Sequence, residues 1–137
     1  MRTFIVNYIN LDKLGILLSS LCAIHCVLTP LVILSVPMLA RYYLAHPYFH
    51  ALMAVLILPV GLLAFWSGYK HHHKMKVFAL GIPGLLVISL VPVFVHNFGF
   101  YYSFPLDETT LMVLGSALLI GAHWLNRRSC SCEVHSH

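Results

Sequence analysis

Charge is what this sequence has least of: 9% of its 137 residues are Asp, Glu, Lys or Arg, against 60% that are hydrophobic, and the mean hydropathy is +0.86. A chain so apolar cannot face water over most of its surface, which excludes a soluble globular domain. The few basic residues fall in short clusters rather than a continuous stripe, so the formal charge of +4 is no signal for nucleic acid. Also missing are a bound-cofactor motif, a nucleophile with its base and paired catalytic carboxylates, and without them nothing supports reading the chain as an enzyme. No small-x-small cleavage site follows the first apolar run, which is longer than a usual signal-peptide core, so residue 1 onward is expected to be mature protein.

What the chain has in place of charge is long hydrophobic runs. Leu14 to Leu34, Ala51 to Tyr69 and Val77 to Val95 contain no Asp, Glu, Lys or Arg, and each is long enough to cross about 30 Å of hydrocarbon as a helix. A fourth run, Leu111 to Leu125, reaches spanning length once Asp107 to Thr110 form its first turn, with the Asp107 carboxylate accepting backbone N–H groups as an N-cap. The expected fold is an all-α membrane protein, a four-transmembrane-helix bundle over residues 1–126 with spans at about 13–36, 49–69, 76–96 and 107–126, followed by a tail at 127–137.

Flanking charges orient the bundle. Arg2, Lys13, Lys70, Lys74, Lys76, Arg127 and Arg128 fall on one side and only Arg41 on the other, which places both termini in the cytoplasm. Tyr42, Tyr43, Tyr48, Tyr69, Tyr101, Tyr102, Trp66 and Trp124 lie near span ends, where amphipathic rings favour the headgroup layer. Small residues recur at four-residue intervals: Gly15, Ser19 and Ala23 in the first span, Ala64 and Gly68 in the second, Ala117 and Gly121 in the fourth. Such stripes let helix backbones approach closely and need imply no chemistry. Four helices make a thin bundle, which a homodimer would thicken.

The chemistry-bearing segment is Leu21-Cys22-Ala23-Ile24-His25-Cys26-Val27-Leu28-Thr29-Pro30, near the middle of the first span. On a helix Cys22 and Cys26 share a face with Cβ atoms about 5–6 Å apart, and His25 is three residues from Cys22, so all three can address one site. Pro30 removes the N–H that would bond the Cys26 carbonyl, adding a local kink beside a thiol. Two sulfurs binding one soft ion in a line need about 4.6 Å between them, taking roughly 2.3 Å per bond. Thiolate selects soft or borderline metals over magnesium or calcium. A divalent ion with two thiolates is formally neutral and avoids most of the cost of placing a charge in hydrocarbon. Binding must expel the thiol protons, so occupancy falls at low pH. The plainer reading is that free cysteine serves as a small buried hydrophobe; the ionisable His25 at mid-membrane weighs toward a site.

A second cluster, Cys130, Cys132, His135 and His137, offers further metal ligands on what reads as a flexible cytoplasmic tail, where a reducing compartment disfavours a disulfide. The competing reading is a polar tail after a stop-transfer arginine pair. His71, His72 and His73 in the loop between the second and third spans either relay a metal or solvate a turn. His46, His50 and His96 lie near the outer surface, where together they could receive a cation although their spacing matches no compact motif, and His123 either faces the bundle or snorkels to the interface.

At Cys22 to Pro30, with four short spans and a cysteine-bearing tail, the chain resembles the MerC family of bacterial inner-membrane mercury-resistance proteins, over essentially its whole length. Cys22 and Cys26 stand where the family typically has a tighter Cys-x-x-Cys pair. The resemblance implies uptake of mercuric ion across the bacterial cytoplasmic membrane: first-helix thiols carry Hg2+ and tail thiols receive it for intracellular reduction, with a cytoplasmic metal acceptor as a possible partner. No permanent cofactor is expected, only the transported ion, the lipid bilayer and that acceptor as partners. An alternative class is a membrane sensor or buffer that binds zinc or copper without moving it, since Zn2+ or Cu+ tolerates mixed Cys and His ligation. A third, a thiol oxidoreductase, is weakened because mid-helix cysteines lack the helix N-terminus that lowers a thiol pKa.

Overall fold

Each apolar run forms one long helix. The computed structural model describes residues 2–36, 47–73, 75–98 and 107–134, with side-chain surroundings for 10–36, 49–70, 73, 75–95 and 107–129. Helix α1 covers Arg2–Ser35, α2 Pro47–His72, α3 Met75–Phe98 and α4 Glu108–Val134; no strand occurs among the described residues. The stretches Asn10–Ser35, Phe49–Lys70, Met75–Val95 and Glu108–Ser129 are long and apolar enough to cross a membrane. Pro30, Pro59, Pro83 and Pro92 all lie inside helices, as membrane helices tolerate when neighbours supply the packing.

The helices pack in a ring, α1 on α2, α2 on α3, α3 on α4 and α4 back on α1, with α2 and α4 also meeting across the centre. The distribution of polarity is the reverse of a water-soluble protein. Leu34, Val55 and Leu63 point outward at 82%, 67% and 60% exposure, while Asp12, Ser19, Ser116, His123 and Asn126 are fully buried. Lipid is as apolar as leucine, so nothing drives leucines inward, and polar groups that need partners gather inside. Trp66 and Trp124 are exposed, with Lys70 Nζ 5.6 Å and Arg128 Cζ 4.5 Å from their rings, the amphipathic pairing that suits the interfacial layer.

Close approach is set by glycine at a few points. A Cβ at Gly84 would sit 2.9 Å from Leu119 Cγ and 3.0 Å from the Gly115 carbonyl oxygen, so α3 and α4 meet there almost backbone to backbone. Gly84→Ala is expected to lower stability by about 1–3 kcal/mol through overpacking, read by thermal unfolding in detergent. The fourth-helix stripe differs from the sequence expectation: Ala117 is exposed and a Cβ at Gly121 would meet nothing within 4 Å, whereas Gly115, Ser116 and Ala122 face the core. Four-residue spacing identifies a stripe but not which side of the helix the neighbours occupy. Gly121→Ala accordingly serves as the control, with a change within about 0.5 kcal/mol.

Helix ends follow local chemistry. Asp107 precedes α4 and caps it, taking a hydrogen bond from the Thr110 hydroxyl while its carbonyl accepts from Leu111 N at 3.2 Å. The Thr110 hydroxyl, followed by backbone N–H groups, holds the Asp107 carboxyl below its ordinary value of 3.8. The sign is that of a depressed acid: capping is complete above the ordinary carboxylate value and is lost as pH falls through the lowered one. Asp107→Ala is therefore expected to destabilise α4 at neutral pH and to have no further effect in strong acid, as followed by acid titration of helicity. At the end of α2, His73 takes φ 50° and its N–H bonds the Tyr69 carbonyl at 2.9 Å, so this member of the histidine triplet terminates a helix.

Candidate metal centre

The buried face of α1 carries Asp12, Gly15, Ser19, Cys22 and Cys26 in steps of three and four residues, the spacing that aligns side chains along one stripe of a helix. Cys22 and Cys26 are unbridged, 1% and 5% exposed, and neighbour each other, with Ser116 of α4 also facing Cys22. Both thiols thus point into the bundle rather than toward lipid. Cys26 Sγ lies 3.9 Å from His50 Nε2 on α2, and His50 Nδ1 lies 4.0 Å from Glu108 Oε1 at the start of α4. Three helices therefore converge on the thiol pair with sulfur, imidazole and carboxylate in series.

His25 stands beside this line. Its ring stacks on Phe49 at 3.7 Å between centroids with 20° between planes, and meets His50 edge-on at 5.7 Å. Thr29 Oγ1 donates to the His25 carbonyl at 2.7 Å and lies 3.4 Å from His25 Nε2. Back-bonding of this kind bends membrane helices and fixes the neighbouring ring. Among the described residues no three His, Cys, Asp or Glu side chains form a ready ligand cage. What the fold assembles is a pair of thiols, enough for a soft ion that accepts two sulfur ligands and too few for magnesium or calcium.

The tail differs from its expected flexible form, because α4 continues through Arg127 and Arg128 and includes Cys130 and Cys132 before ending at Val134. His135 and His137 lie outside the described residues, as do His46 and Arg41. Ser116 lies level with Cys22, so Cys130 stands fourteen residues further along α4, about 20 Å at 1.5 Å per residue. The two cysteine clusters occupy different ends of the bundle, and one ion cannot be held by both.

A second polar centre lies between them and went unread in the sequence. His123 Nδ1 meets Asp12 Oδ1 at 2.9 Å, and Asn126 Nδ2 donates to Asp12 Oδ1 at 3.1 Å, to Oδ2 at 3.0 Å and to the Ala64 carbonyl at 3.1 Å. The His123 ring lies over Phe65 at 4.6 Å between centroids. A Cβ at Gly15 would overlap that ring and one at Gly68 would overlap the Asn126 amide, so the two glycines form the cradle for the polar groups. Placing the first span from Leu14 left Asp12 outside it. The signal that could have found the centre is the pair His123 and Asn126, three residues apart in a span that is otherwise poor in polar groups. Glu108 and Ser116 were also missed, and His50 was read only as one of three outer-side histidines that together could receive a cation.

A family model described as MerC mercury resistance protein matches residues 12–128 of the chain. The matched segment takes in the second and third spans and all but the outermost residues of the first and fourth, with both buried thiols and the Asp12 centre, and stops before Cys130. No curated protein and no solved structure matches the chain.

Proposed function

The chain belongs to the MerC mercury-resistance family, and from that premise we propose that it carries mercuric ion across the bacterial cytoplasmic membrane by thiol ligand exchange. Family and spans together make it a multi-pass mercury-resistance membrane protein; substrate, direction and mechanism are the proposal. The observation that carries it is the burial of Cys22 and Cys26 as neighbours inside the bundle, beside His50. Capture forms two metal–sulfur bonds, breaks the bonds to the ion's previous ligands and releases two thiol protons. The resulting complex is formally neutral and stable where a bare divalent ion is not.

Direction is inferred from the tail's location, and that location from charge. The end of the bundle that carries both termini also carries Arg2, Lys13, Lys70, Lys74, Lys76, Arg127 and Arg128, and is the cytoplasmic end by the positive-inside rule. The ion then enters on the His50 and Glu108 side and leaves toward Cys130 and Cys132, with His135 and His137 as further ligands and a cytoplasmic thiol as final acceptor. His25 orients the outer side of the site. The test is reconstitution of the full chain in vesicles: time-dependent accumulation of mercuric ion inside supports transport. Stoichiometric binding with no accumulation makes the protein a membrane metal buffer or sensor instead.

A further inference from the structure

Two thiolates leave a soft or borderline ion with positions unfilled, since sites built of sulfur and imidazole commonly hold three or four donors. The fold brings a further donor to the pair, and it comes from α2 rather than from the thiols' own helix. His50 Nε2 lies 3.9 Å from Cys26 Sγ, and Cys26 in turn neighbours Cys22, so the three donors adjoin through Cys26. Bonds of about 2.3 Å to sulfur and about 2.0–2.1 Å to nitrogen put the two donor atoms about 3.6 Å apart at a tetrahedral angle and about 3.8 Å apart at a trigonal one. The resting separation is thus already close to that of two ligands on one ion. Among the described residues no three donors close into a cage at rest, and a turn of the imidazole about its side-chain bonds is the movement that closes this one.

The other nitrogen of the ring has its own neighbour. His50 Nδ1 lies 4.0 Å from Glu108 Oε1 at the start of α4, and the two side chains are largely buried. A histidine that ligates through one nitrogen usually gives the N–H of the other to a carboxylate, which fixes the tautomer and the direction of the ring. His25, next to the thiols in sequence, is placed differently: its ring stacks on Phe49, its Nε2 lies 3.4 Å from Thr29 Oγ1, and it meets His50 edge-on. It walls the His50 ring on one side, while Glu108 stands behind it.

We propose that His50 is a third ligand of the thiophilic divalent cation held by Cys22 and Cys26, bonded through Nε2, and that Glu108 is a positioning residue acting through Nδ1. The inference deepens the thiol-exchange reading above and rests on its thiol pair, though not on transport. In capture the ion forms two bonds to sulfur and one to Nε2 and breaks those to its former ligands, which leave with their electron pairs; the two thiol protons pass to water. The imidazole supplies an electron pair and keeps one proton, on Nδ1 facing Glu108. Being neutral, it adds a bond without adding charge, so the complex stays as uncharged as with two thiolates alone. It also stands on the side from which the transport reading has the ion enter, so the ion meets imidazole and thiol together.

The experiment uses the full chain carrying C130S and C132S, which leaves the buried pair as its only thiols, in detergent with nitrogen-15-labelled histidine and one equivalent of mercuric ion enriched in mercury-199. One imidazole Nε2 is expected to show spin coupling to the metal. H50Q loses that coupling, keeps both thiols blocked by the ion, and binds at least about 10-fold more weakly in competition with dithiothreitol. E108Q weakens binding about 10-fold and adds nothing in the H50Q background, which separates a carboxyl group acting through the imidazole from one that only stabilises the fold; an equal loss in both backgrounds overturns the role of Glu108. Mercury bound at both thiols without nitrogen coupling, or a coupling that survives in H50Q, overturns the third ligand and leaves the thiol pair standing. Should H50Q fail to fold, H25Q decides in its place: a coupling that it leaves unchanged supports His50, and one that it abolishes overturns the assignment. A C22S variant that binds mercury as tightly as its parent overturns the thiol pair itself, and this proposal with it.

Discussion

Cys22→Ser or Cys26→Ser is expected to abolish accumulation of mercuric ion in cells that express the protein, with binding by the purified chain weakened by at least about 100-fold. The substitution keeps shape and removes softness: a hydroxyl does not ionise near neutral pH and is a hard ligand for a thiophilic ion. Each variant is expected to fold, because serine is close to cysteine in size and a polar group stands beside each position in the core, Ser116 at Cys22 and His50 at Cys26. One remaining thiol cannot cancel the charge of a divalent ion in the bundle. Accumulation at the wild-type rate in the double variant would remove the mechanism, whatever the family. Affinity of the wild type should also fall as pH is lowered, since each ion bound displaces thiol protons.

Asp12→Ala carries the largest expected effect on stability, about 3 kcal/mol. The carboxylate is 1% exposed and receives Asn126, while His123 Nδ1 stands 2.9 Å away. Its removal takes the Asp12 oxygen from the buried His123 imidazole and leaves the Asn126 amide with the Ala64 carbonyl in place of a carboxylate. Contact energies alone predict less, since individual hydrogen bonds between membrane helices average about 0.6 kcal/mol; most of the loss is the penalty for the partners left behind. The triple replacement D12L/H123L/N126L therefore costs less than Asp12→Ala by itself. Equilibrium unfolding of both in the same detergent checks this, and a triple variant that is the less stable of the two would show that direct bonding dominates.

Spans, their number and the thiol pair were legible in the chain because they depend on local properties. Runs without charge longer than a bilayer is thick admit one backbone solution, the helix, since every N–H and C=O must be bonded within the segment. Cys22 and Cys26 share a face because helical geometry puts residues four apart on one side. The Asp107 cap was legible for the same reason, being a contact within one turn. Ala117 and Gly121 show where local reasoning stops: their spacing is that of a packing stripe, yet α4 turns Gly115 and Ala122 to its neighbours instead.

The partners of each site were a matter of tertiary structure. His50 and Glu108 are 24 and 82 residues from Cys26 in the chain, and Asp12 is 111 from His123. No periodicity links residues on different helices, so only the rotation of each helix about its axis determines which side chains meet. That rotation is set by glycines 15, 68 and 84, which let neighbouring helices close on specific groups. The sequence by itself determined a four-span membrane bundle with two thiols on one face, because hydrophobicity and helical pitch act within a segment. Tertiary packing alone decided that the thiols point inward, that an imidazole and a carboxylate stand beside them, and that a second buried acid has its own histidine, because those pairings depend on contacts between segments.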